Sequence, residues 1–283
     1  MIETGDGLWD IGEPEVPLVG GDVTEGLVRV GDTVRRPASP VSDGVRLVLD
    51  HLHRQGFDGA PRYLGRDRKG RDVLSFVQGE VASRPWPNWV ADPERILSVA
   101  RLTRAYDDAV DVMGVPDWAR ALRLADPPGI PQSIAGEPEL VGHLDITPEN
   151  VVFRNGCAFA LIDFDLIRPS TRAEEVCNLL QWWAPWMPSA DREEALRWAD
   201  PVARGALLVD AYGLDSQARH GLVDLALNTA ERSWHLMKLR SESLGGGWRR
   251  MWDEGVGEKI LRRKQWIWDN RHELSAAVAP ACA

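Results

Sequence analysis

The sequence predicts an α+β protein with a small β-rich N-terminal lobe and a mainly helical C-terminal lobe, and three observations support this class. First, glycines separate three short β-prone runs in residues 14–37, a pattern typical of an antiparallel meander. Second, Asn155-Gly156 lies between two apolar runs and predicts a tight hairpin, because both central residues of a type I′ turn need positive φ. Third, apolar residues recur at helical spacing through most of the last third of the chain.

After the meander, one helix and two strands are expected to complete the first lobe. Residues 42–55 have a helical apolar pattern formed by Val45, Val48, Leu49 and Leu52. Residues 61–64 and 73–77 are strand-like, and a charged turn that begins at Gly65 joins them.

The boundary between the lobes is predicted near Gly79, so that residues 1–79 and 80–283 form the two lobes. In the second lobe, Asp92 is a good N-cap for a helix that begins at Pro93. The predicted buried face of this helix is Ile96, Val99, Ala100, Thr103, Tyr106 and Val110. Further helices are predicted over residues 189–198, 202–212, 215–239 and 248–274, the last of them interrupted by Gly255 and Gly257.

Composition and charge limit the cellular compartment and the classes of binding partner that we expect. The formal net charge of −10 disfavours nucleic-acid binding and would attract a cationic acceptor, although solubility alone also explains it. The three cysteines, Cys157, Cys177 and Cys282, are widely spaced and suggest neither a disulfide framework nor a zinc site. The acidic N-terminus lacks the regions of a signal peptide, and no apolar run approaches the ~18 residues of a membrane helix. We therefore expect a cytoplasmic protein without a membrane partner.

The most informative stretch begins at His143. It contains Asp145, then Asn150 five positions later, and Asp163 at the end of an apolar run. The predicted hairpin folds Asp163 back beside Asn150 and Asp145. Taken singly, these are ordinary turn residues and a strand-end cap, but their combined spacing favours a catalytic interpretation.

Phosphoryl transfer needs the side chains that this stretch supplies. A carboxylate must orient a substrate hydroxyl and accept its proton, and oxygen ligands must hold the Mg²⁺ that accompanies the nucleotide phosphates. Asp145 fits the first requirement, whereas Asn150 and Asp163 fit the second. His143 would brace the loop rather than take part in the chemistry.

The stretch resembles the catalytic core of the aminoglycoside phosphotransferase family, the small-molecule branch of the protein-kinase-like fold. The family typically shows H-G-D-x-H-x-x-N followed by I-D-[FW]. Here the motifs are HLDITPEN, from His143 to Asn150, and IDF, from Ile162 to Phe164, with Leu144 in place of the usual glycine. The resemblance implies a two-lobe kinase-like fold and a small-molecule kinase that uses Mg²⁺ and ATP or GTP. It also implies antibiotic resistance as a setting, but it does not identify the acceptor.

The resemblance also implies a nucleotide-binding side. The first hairpin, with Gly20 and Gly21, would cover the phosphates, since glycine lets the backbone approach closely; a plain turn is the alternative. The third β-run should carry a phosphate-binding lysine and instead carries Arg35 and Arg36, of which only one can face the cleft. Comparison with relatives favours Arg35, with Arg36 as the alternative. The backbone groups expected to meet the base belong to Ser75, Phe76, Val77 and Gln78.

Some positions depart from the family pattern. Kinase-like folds offer a helix Glu to the strand cation, but the predicted helix of the first lobe has only Asp43 and Asp50. Relatives also have a helix whose first Asp braces the catalytic loop. Glu175 is the nearest match and Glu174 the alternative, although a favourable charge in a first helical turn explains either equally well. Asp165 is expected to be structural, although it could face Mg²⁺.

In this family the C-terminal helices form the acceptor side. The candidate lining residues are Glu175, Trp182, Trp183, Trp186, Glu231, Trp234 and His235. Aromatic faces could stack on a sugar or cover a cation, while core packing is the commoner use of large aromatic side chains.

We therefore expect a phosphotransferase that moves the γ-phosphoryl group of ATP or GTP to a hydroxyl of a small molecule such as an aminoglycoside or amino sugar. One alternative is a peptide acceptor, although no A-P-E pattern follows Asp163. A second is a non-catalytic nucleotide-binding regulator, which the arginine in place of lysine and the missing helix Glu favour, whereas the intact Asp145, Asn150 and Asp163 favour the enzyme. A third is a helical interaction protein in which the motifs occur by chance. The oligomeric state stays open.

Overall fold

The computed structural model describes residues 13–18, 26–122, 126 and 129–280, and it confirms the predicted α+β class. Within these residues, the first lobe is built on a five-stranded antiparallel sheet with the strand order β1-β2-β3-β5-β4. Its elements are β1 (Val16–Pro17), β2 (Val28–Val30), β3 (Thr33–Arg36), α1 (Ser42–Arg54), β4 (Tyr63–Arg66) and β5 (Asp72–Ser75).

The first lobe follows the sequence pattern closely. Helix α1 buries its predicted apolar face against the sheet and the second lobe. The charged turn between β4 and β5 is shorter than predicted, because Gly65 and Arg66 still pair with β5. Asp67 closes the turn by accepting the backbone N–H groups of Lys69 and Arg71, both at 2.9 Å.

The linker that follows β5 is fixed to the second lobe. Gly79 has φ +152°, and a side chain there would collide with the Phe153 carbonyl. The N–H of Glu80 donates to the Phe153 carbonyl at 2.9 Å, and the Phe153 N–H donates back to Glu80 at 2.7 Å. The Arg154 guanidinium donates to the Gln78 carbonyl at 2.8 Å. The linker is therefore held against the segment that follows the candidate catalytic loop.

The second lobe is mainly helical. Its elements are α2 (Pro93–Asp111), α3 (Asp117–Leu122), β6 (Leu140–Gly142), β7 (Val151–Arg154), β8 (Cys157–Leu161), β9 (Arg168–Ser170), α4 (Arg172–Trp182), α5 (Pro201–Tyr212), α6 (Ser216–Ser243), α7 (Gly246–Asp253), α8 (Val256–Asp269) and α9 (Arg271–Val278). None of the helices within the described ranges combines the length and the apolar character needed to span a bilayer.

Helix α2 matches its prediction and forms the support of this lobe. The Asp92 carboxylate accepts the N–H of Glu94 at 3.0 Å, which caps the helix. All the residues of the predicted face are buried, and they pack against α5, β6 and β8. The Tyr106 hydroxyl donates to the Val141 carbonyl at 2.8 Å and so ties α2 to the strand that leads into the catalytic loop.

Two helical predictions were wrong in detail. Residues 189–198 form two 3₁₀ turns instead of an α-helix, and the guanidinium of Arg192 holds them by donating to carbonyls on both sides. The last predicted helix is divided into α7, α8 and α9. The predicted interruption at Gly255, with φ +88°, separates the first pair, whereas Gly257 lies inside α8 and Asn270 lies between the second pair.

Candidate active site

The predicted hairpin joins β7 to β8 and brings the motif residues together. Asn155 and Gly156 have φ +50° and +79°, as a type I′ turn requires. The two strands pair antiparallel from this turn outward. At their far end the N–H of Ile162 donates to the Asn150 carbonyl at 2.9 Å, so that Asp163 follows directly beside Asn150.

Asp145 and Asn150 form one hydrogen-bonded unit. The Asn150 amide donates to the main-chain carbonyl and to the carboxylate of Asp145, both at 2.9 Å. Burial, together with the charges of Asp163 and Glu149, raises the pKa of Asp145 from 3.8 to about 7. A carboxylate with such a pKa suits proton transfer at neutral pH.

Asp163 lies at the interface of the two lobes. Its φ of +62° is uncommon for a residue other than glycine. From β3, the Nη1 atom of Arg36 approaches Asp163 Oδ1 to 3.7 Å, and the Nη2 atom contacts the carboxylate of Asp165. Burial, followed by the charge of Asp165, raises the pKa of Asp163 to about 6.

Asn150 and Asp163 form a donor set that suits Mg²⁺. Asn150 uses its amide nitrogen for Asp145, which leaves the amide oxygen for a cation, and hard divalent ions prefer such oxygen ligands. Burial is the main cause that raises the pKa values of Asp145 and Asp163, and the charges of neighbouring carboxylates add to it; a divalent cation would stabilise the ionised forms of these groups. Within the described part of the chain, no group of three or more His, Cys, Asp or Glu side chains could hold a metal.

His143 is a buried brace of the loop. Its Nδ1 atom accepts the N–H of Asp145 at 3.3 Å, which leaves Nε2 to carry the proton and donate to the Ile162 carbonyl at 3.1 Å. Burial lowers the pKa of His143 to about 4, so the ring is neutral near pH 7. The ring thus connects the two ends of the catalytic segment.

Helix α4 holds the backbone of the catalytic loop, which sequence reasoning found only in part. Leu144 adopts φ +59°, the left-handed conformation that explains why a glycine is usual there. Its N–H donates to both oxygens of Glu175, at 3.1 and 3.3 Å. Asn178 accepts the Ile146 N–H at 2.8 Å and donates to the Leu144 carbonyl at 3.0 Å. Trp183, just beyond α4, donates to the Ile146 carbonyl at 2.8 Å.

Glu174 has a different function on the same helix. Its carboxylate accepts the Thr171 N–H at 3.1 Å, while the Thr171 hydroxyl accepts the Glu174 N–H, and the two form a capping box. Of the two acids considered from the sequence, Glu175 is therefore the one that contacts the loop.

Removing the Glu175 carboxylate is expected to destabilise the protein through the loop. Glu175→Ala leaves the buried Leu144 N–H without its acceptor, at a cost of about 2 kcal/mol. Glu175→Gln keeps one acceptor oxygen and should lower the free energy of unfolding by less than half as much as Glu175→Ala. Chemical denaturation measures both values. Glu174→Ala is the matched control: it removes the capping box, about 1 kcal/mol, without touching the loop. Equal effects of the two Glu175 variants would contradict the assignment.

The two arginines of β3 point in different directions. Arg36 faces the carboxylates of the cleft, whereas Arg35 is buried, lies 3.8 Å from Asp67 and donates to the Thr33 hydroxyl. Sequence comparison favoured Arg35 as the phosphate ligand, but this geometry makes Arg36 the better candidate. Gly20 and Gly21 lie outside the described residues.

The residues expected to meet the nucleotide base and the candidate catalytic residues do not line the same cavity. Ser75, Phe76 and Val77 line a cavity of about 440 Å³ between α1 and the β8 strand. Neither Asp145 nor Asp163 lines it, so we do not assign this cavity to the nucleotide phosphates.

The proposed acceptor-side residues divide into two groups. Glu175, Trp183 and Trp186 are almost completely buried, so none of them can line an acceptor pocket in this conformation. The other candidates are partly exposed. Trp182 packs edge-on against Trp86, at 6.4 Å between ring centroids.

The remaining candidates lie on α6 and face α7 and α8. Glu231 pairs with Lys264 at 3.0 Å. Trp234 packs against His235 and Trp252, with centroid distances of 5.1 and 5.8 Å. These contacts leave them partly exposed, and they stay candidates for the acceptor side.

Comparison with known proteins shows which proteins this site and fold are similar to. Residues 86–209, which include Asp145 and Asp163, match the APH model, described as the phosphotransferase enzyme family. The trifolitoxin immunity protein of Rhizobium leguminosarum bv. trifolii is 29% identical over 228 residues, covering 76% of this chain and 80% of that protein.

Solved structures show the same fold. A choline/ethanolamine kinase family protein from Mesorhizobium loti has a TM-score of 0.57 at 16% identity, covering 94% of this chain and 92% of that one. An ethanolamine kinase from Plasmodium vivax has a TM-score of 0.56 at 12% identity, covering 96% of this chain and 84% of that one. The segment that holds the candidate site therefore matches the phosphotransferase enzyme family, and the chain has the two-lobe kinase-like fold that the motifs between His143 and Phe164 predicted.

Proposed function

We propose that this phosphotransferase moves the γ-phosphoryl group of ATP or GTP to a hydroxyl of a small molecule that also carries an amine. The observation that carries the proposal is the hydrogen-bonded loop and hairpin that set Asp145, Asn150 and Asp163 side by side. Arg36 reaches the same carboxylates from the other lobe. The family match supports the same class of reaction.

In the proposed step, Asp145 orients the acceptor hydroxyl and takes its proton as the oxygen attacks the γ-phosphorus. The new O–P bond forms while the bond from the γ-phosphorus to the bridging oxygen breaks, and the nucleoside diphosphate leaves with that electron pair. His143 and α4 hold the loop, so that the Asp145 carboxylate is positioned before the acceptor binds. Arg36 would contact the phosphates, for which its planar fork is suited.

Asn150 and Asp163 would hold Mg²⁺ on the phosphates of the nucleotide. When bound, the ion neutralises charge that develops during transfer. Asp163 must be unprotonated to bind it, and its pKa of about 6 predicts tighter magnesium binding above that pH.

The class of acceptor rests on charge and on the relatives. The net charge of −10 favours a cationic molecule. The similar solved structures are named for choline and ethanolamine, which favours an amino alcohol or amino sugar. The immunity function in the relative's name favours an antibacterial compound as a second candidate acceptor, and resistance as the biological result.

Nucleotide turnover against a panel of acceptors tests the proposal. The purified protein with Mg²⁺ would be assayed with aminoglycosides, amino sugars, amino alcohols and nucleosides, and Asp145→Ala serves as the inactive control. We expect release of ADP or GDP that depends on one acceptor class and is lost in the variant. Melting temperatures measured with and without Mg-nucleotide show binding independently of turnover. A protein that neither binds nucleotide nor turns it over would contradict the proposal.

A further inference from the structure

Among the residues that the structure describes, the acids that pair with Arg36 come from the second lobe and none comes from its own lobe. Its guanidinium is 6% exposed and lies between Asp163 and Asp165, contacting Asp165 directly. Since buried guanidinium groups need charged partners that fix their orientation, these contacts decide where Arg36 points.

The acids of helix α1 are engaged elsewhere. Asp43 is largely exposed and lies 3.7 Å from Arg66, and Asp50 lies 3.5 Å from Arg46 on the same helix. In kinase-like folds a helix acid pairs with the phosphate-binding cation of the strand. Within the described residues of this chain, no acid of α1 forms such a pair with Arg36.

The nearest acid of the sheet is also engaged. Asp72 lies opposite Arg36 in the register of β3 and β5. Its carboxylate accepts the Ser42 hydroxyl, the Tyr63 hydroxyl at 3.1 Å and the Arg66 guanidinium at 3.0 Å. Asp72 therefore attaches α1 to the sheet, and it does not orient Arg36.

We propose that Asp165 replaces the missing helix acid and is the positioning residue that holds Arg36 toward the nucleotide phosphates. This inference rests on the proposed function, which reserves Asp163 for magnesium. Asp165 is then the carboxylate that stays with Arg36 when the nucleotide is bound. Because Arg36 belongs to β3 and Asp165 follows β8, the pair also connects the two lobes across the cleft.

Because the Arg36–Asp165 pair joins the two lobes, the orientation of Arg36 depends on how the lobes are placed. A helix acid would align the cation from within the first lobe, whatever the position of the second lobe. With Asp165 as the partner, Arg36 is aligned only when the lobes are close enough for the ion pair to form. On this proposal, the orientation of Arg36 depends on contact between the two lobes.

The inference is tested by nucleotide affinity. Displacement of a fluorescent nucleotide measures binding without turnover, at saturating magnesium. Asp165→Asn is expected to weaken nucleotide binding about tenfold, and Asp165→Glu should restore part of the loss. Asp50→Asn is the matched control, since it removes an acid of α1 that pairs with Arg46 and not with Arg36. It should change affinity less than twofold.

A double-mutant cycle separates Asp165 from direct contact with the ion. In a protein that already carries Arg36→Gln, adding Asp165→Asn should weaken nucleotide binding little further, because Asp165 acts through Arg36. The concentration of Mg²⁺ needed for half-maximal binding should not change in Asp165→Asn. An undiminished effect in that background, or a higher magnesium requirement, would show that Asp165 is a metal ligand and overturn the inference. Unchanged affinity in Asp165→Asn, with normal binding by the unsubstituted protein, would also overturn it. Failure of the unsubstituted protein to bind nucleotide would instead contradict the proposed function.

Discussion

Replacing Asp145 with Asn is expected to lower kcat by about 10³-fold while nucleotide binding stays within a few-fold. Asn keeps the size of the side chain and can still accept a hydrogen bond, but it cannot take the proton of the acceptor hydroxyl. General base catalysis contributes about 10²–10⁴-fold, which sets the size of the effect. Single-turnover phosphoryl transfer and nucleotide binding are measured on the same protein. Glu149→Gln is the matched control, because it removes a neighbouring acid of the same loop that makes no contact with the reacting groups.

The dependence on pH supplies a second check on Asp145. As a base it must be unprotonated, so kcat/KM of the unsubstituted protein should fall as the pH drops below about 7, the raised pKa of this carboxyl. Glu149→Gln should move this limb to lower pH, because the charge of Glu149 raises the pKa of Asp145. A profile without an acidic limb would contradict the role of Asp145.

The raised pKa also predicts the stability of the variant. Asp145 binds its proton more tightly when folded, with a pKa of about 7 against 3.8, so its contribution to stability is complete below 3.8 and is lost as the pH rises through 7. Asp145→Asn is always neutral and avoids this loss. We expect it to melt a few degrees higher than the unsubstituted protein at about pH 8, and the difference should shrink toward pH 4. An inactive variant that is more stable shows that the activity was not lost through unfolding.

Replacing Asp163 with Asn is expected to reduce turnover about 10²–10³-fold through loss of the magnesium site. Metal ions stabilise transferring charge by several kcal/mol, and each 1.36 kcal/mol is about tenfold in rate. Asn tolerates the positive φ of this position, so the backbone should be kept. Asp163→Ala should be equally inactive and about 1 kcal/mol less stable, since alanine is strained at this φ.

The magnesium dependence identifies the cause of the Asp163 effect. In the unsubstituted protein, Mg²⁺ should strengthen nucleotide binding strongly, and in Asp163→Asn this enhancement should nearly vanish. Asp165→Asn provides the comparison, because it should keep the enhancement. Full turnover by Asp163→Asn would show that another residue holds the ion.

The local patterns of this chain were strong enough to be read from the sequence. The hairpin at Asn155-Gly156 has the turn that its dipeptide demands, because few residues tolerate positive φ. Helix α2 buries the face that its spacing predicted and begins at the predicted cap. The resemblance to the phosphotransferase family, whose model matches residues 86–209, followed from the motif residues and their spacing. Each of these features depends on neighbours in the chain, and that is the information a sequence carries directly.

The side chains that contact the loop and Arg36 could be identified only from the tertiary structure. Nothing near Arg36 in the chain indicates that it, rather than Arg35, faces the cleft, because strand alternation leaves both faces possible. Trp183 was predicted on the acceptor side and instead donates to the catalytic loop, since an indole can serve packing and hydrogen bonding at the same position.

The sequence by itself determined which side chains are the candidates for the chemistry: Asp145, Asn150 and Asp163, each placed by a local turn or strand end. Only the tertiary structure decided what holds them. Glu175 and Asn178 reach the loop from α4, and Asp165 meets Arg36 across the two lobes. The physical reason is distance along the chain. Backbone turns and caps are set within a few residues, whereas a buried ion pair between residues far apart in the sequence exists only after the lobes have packed.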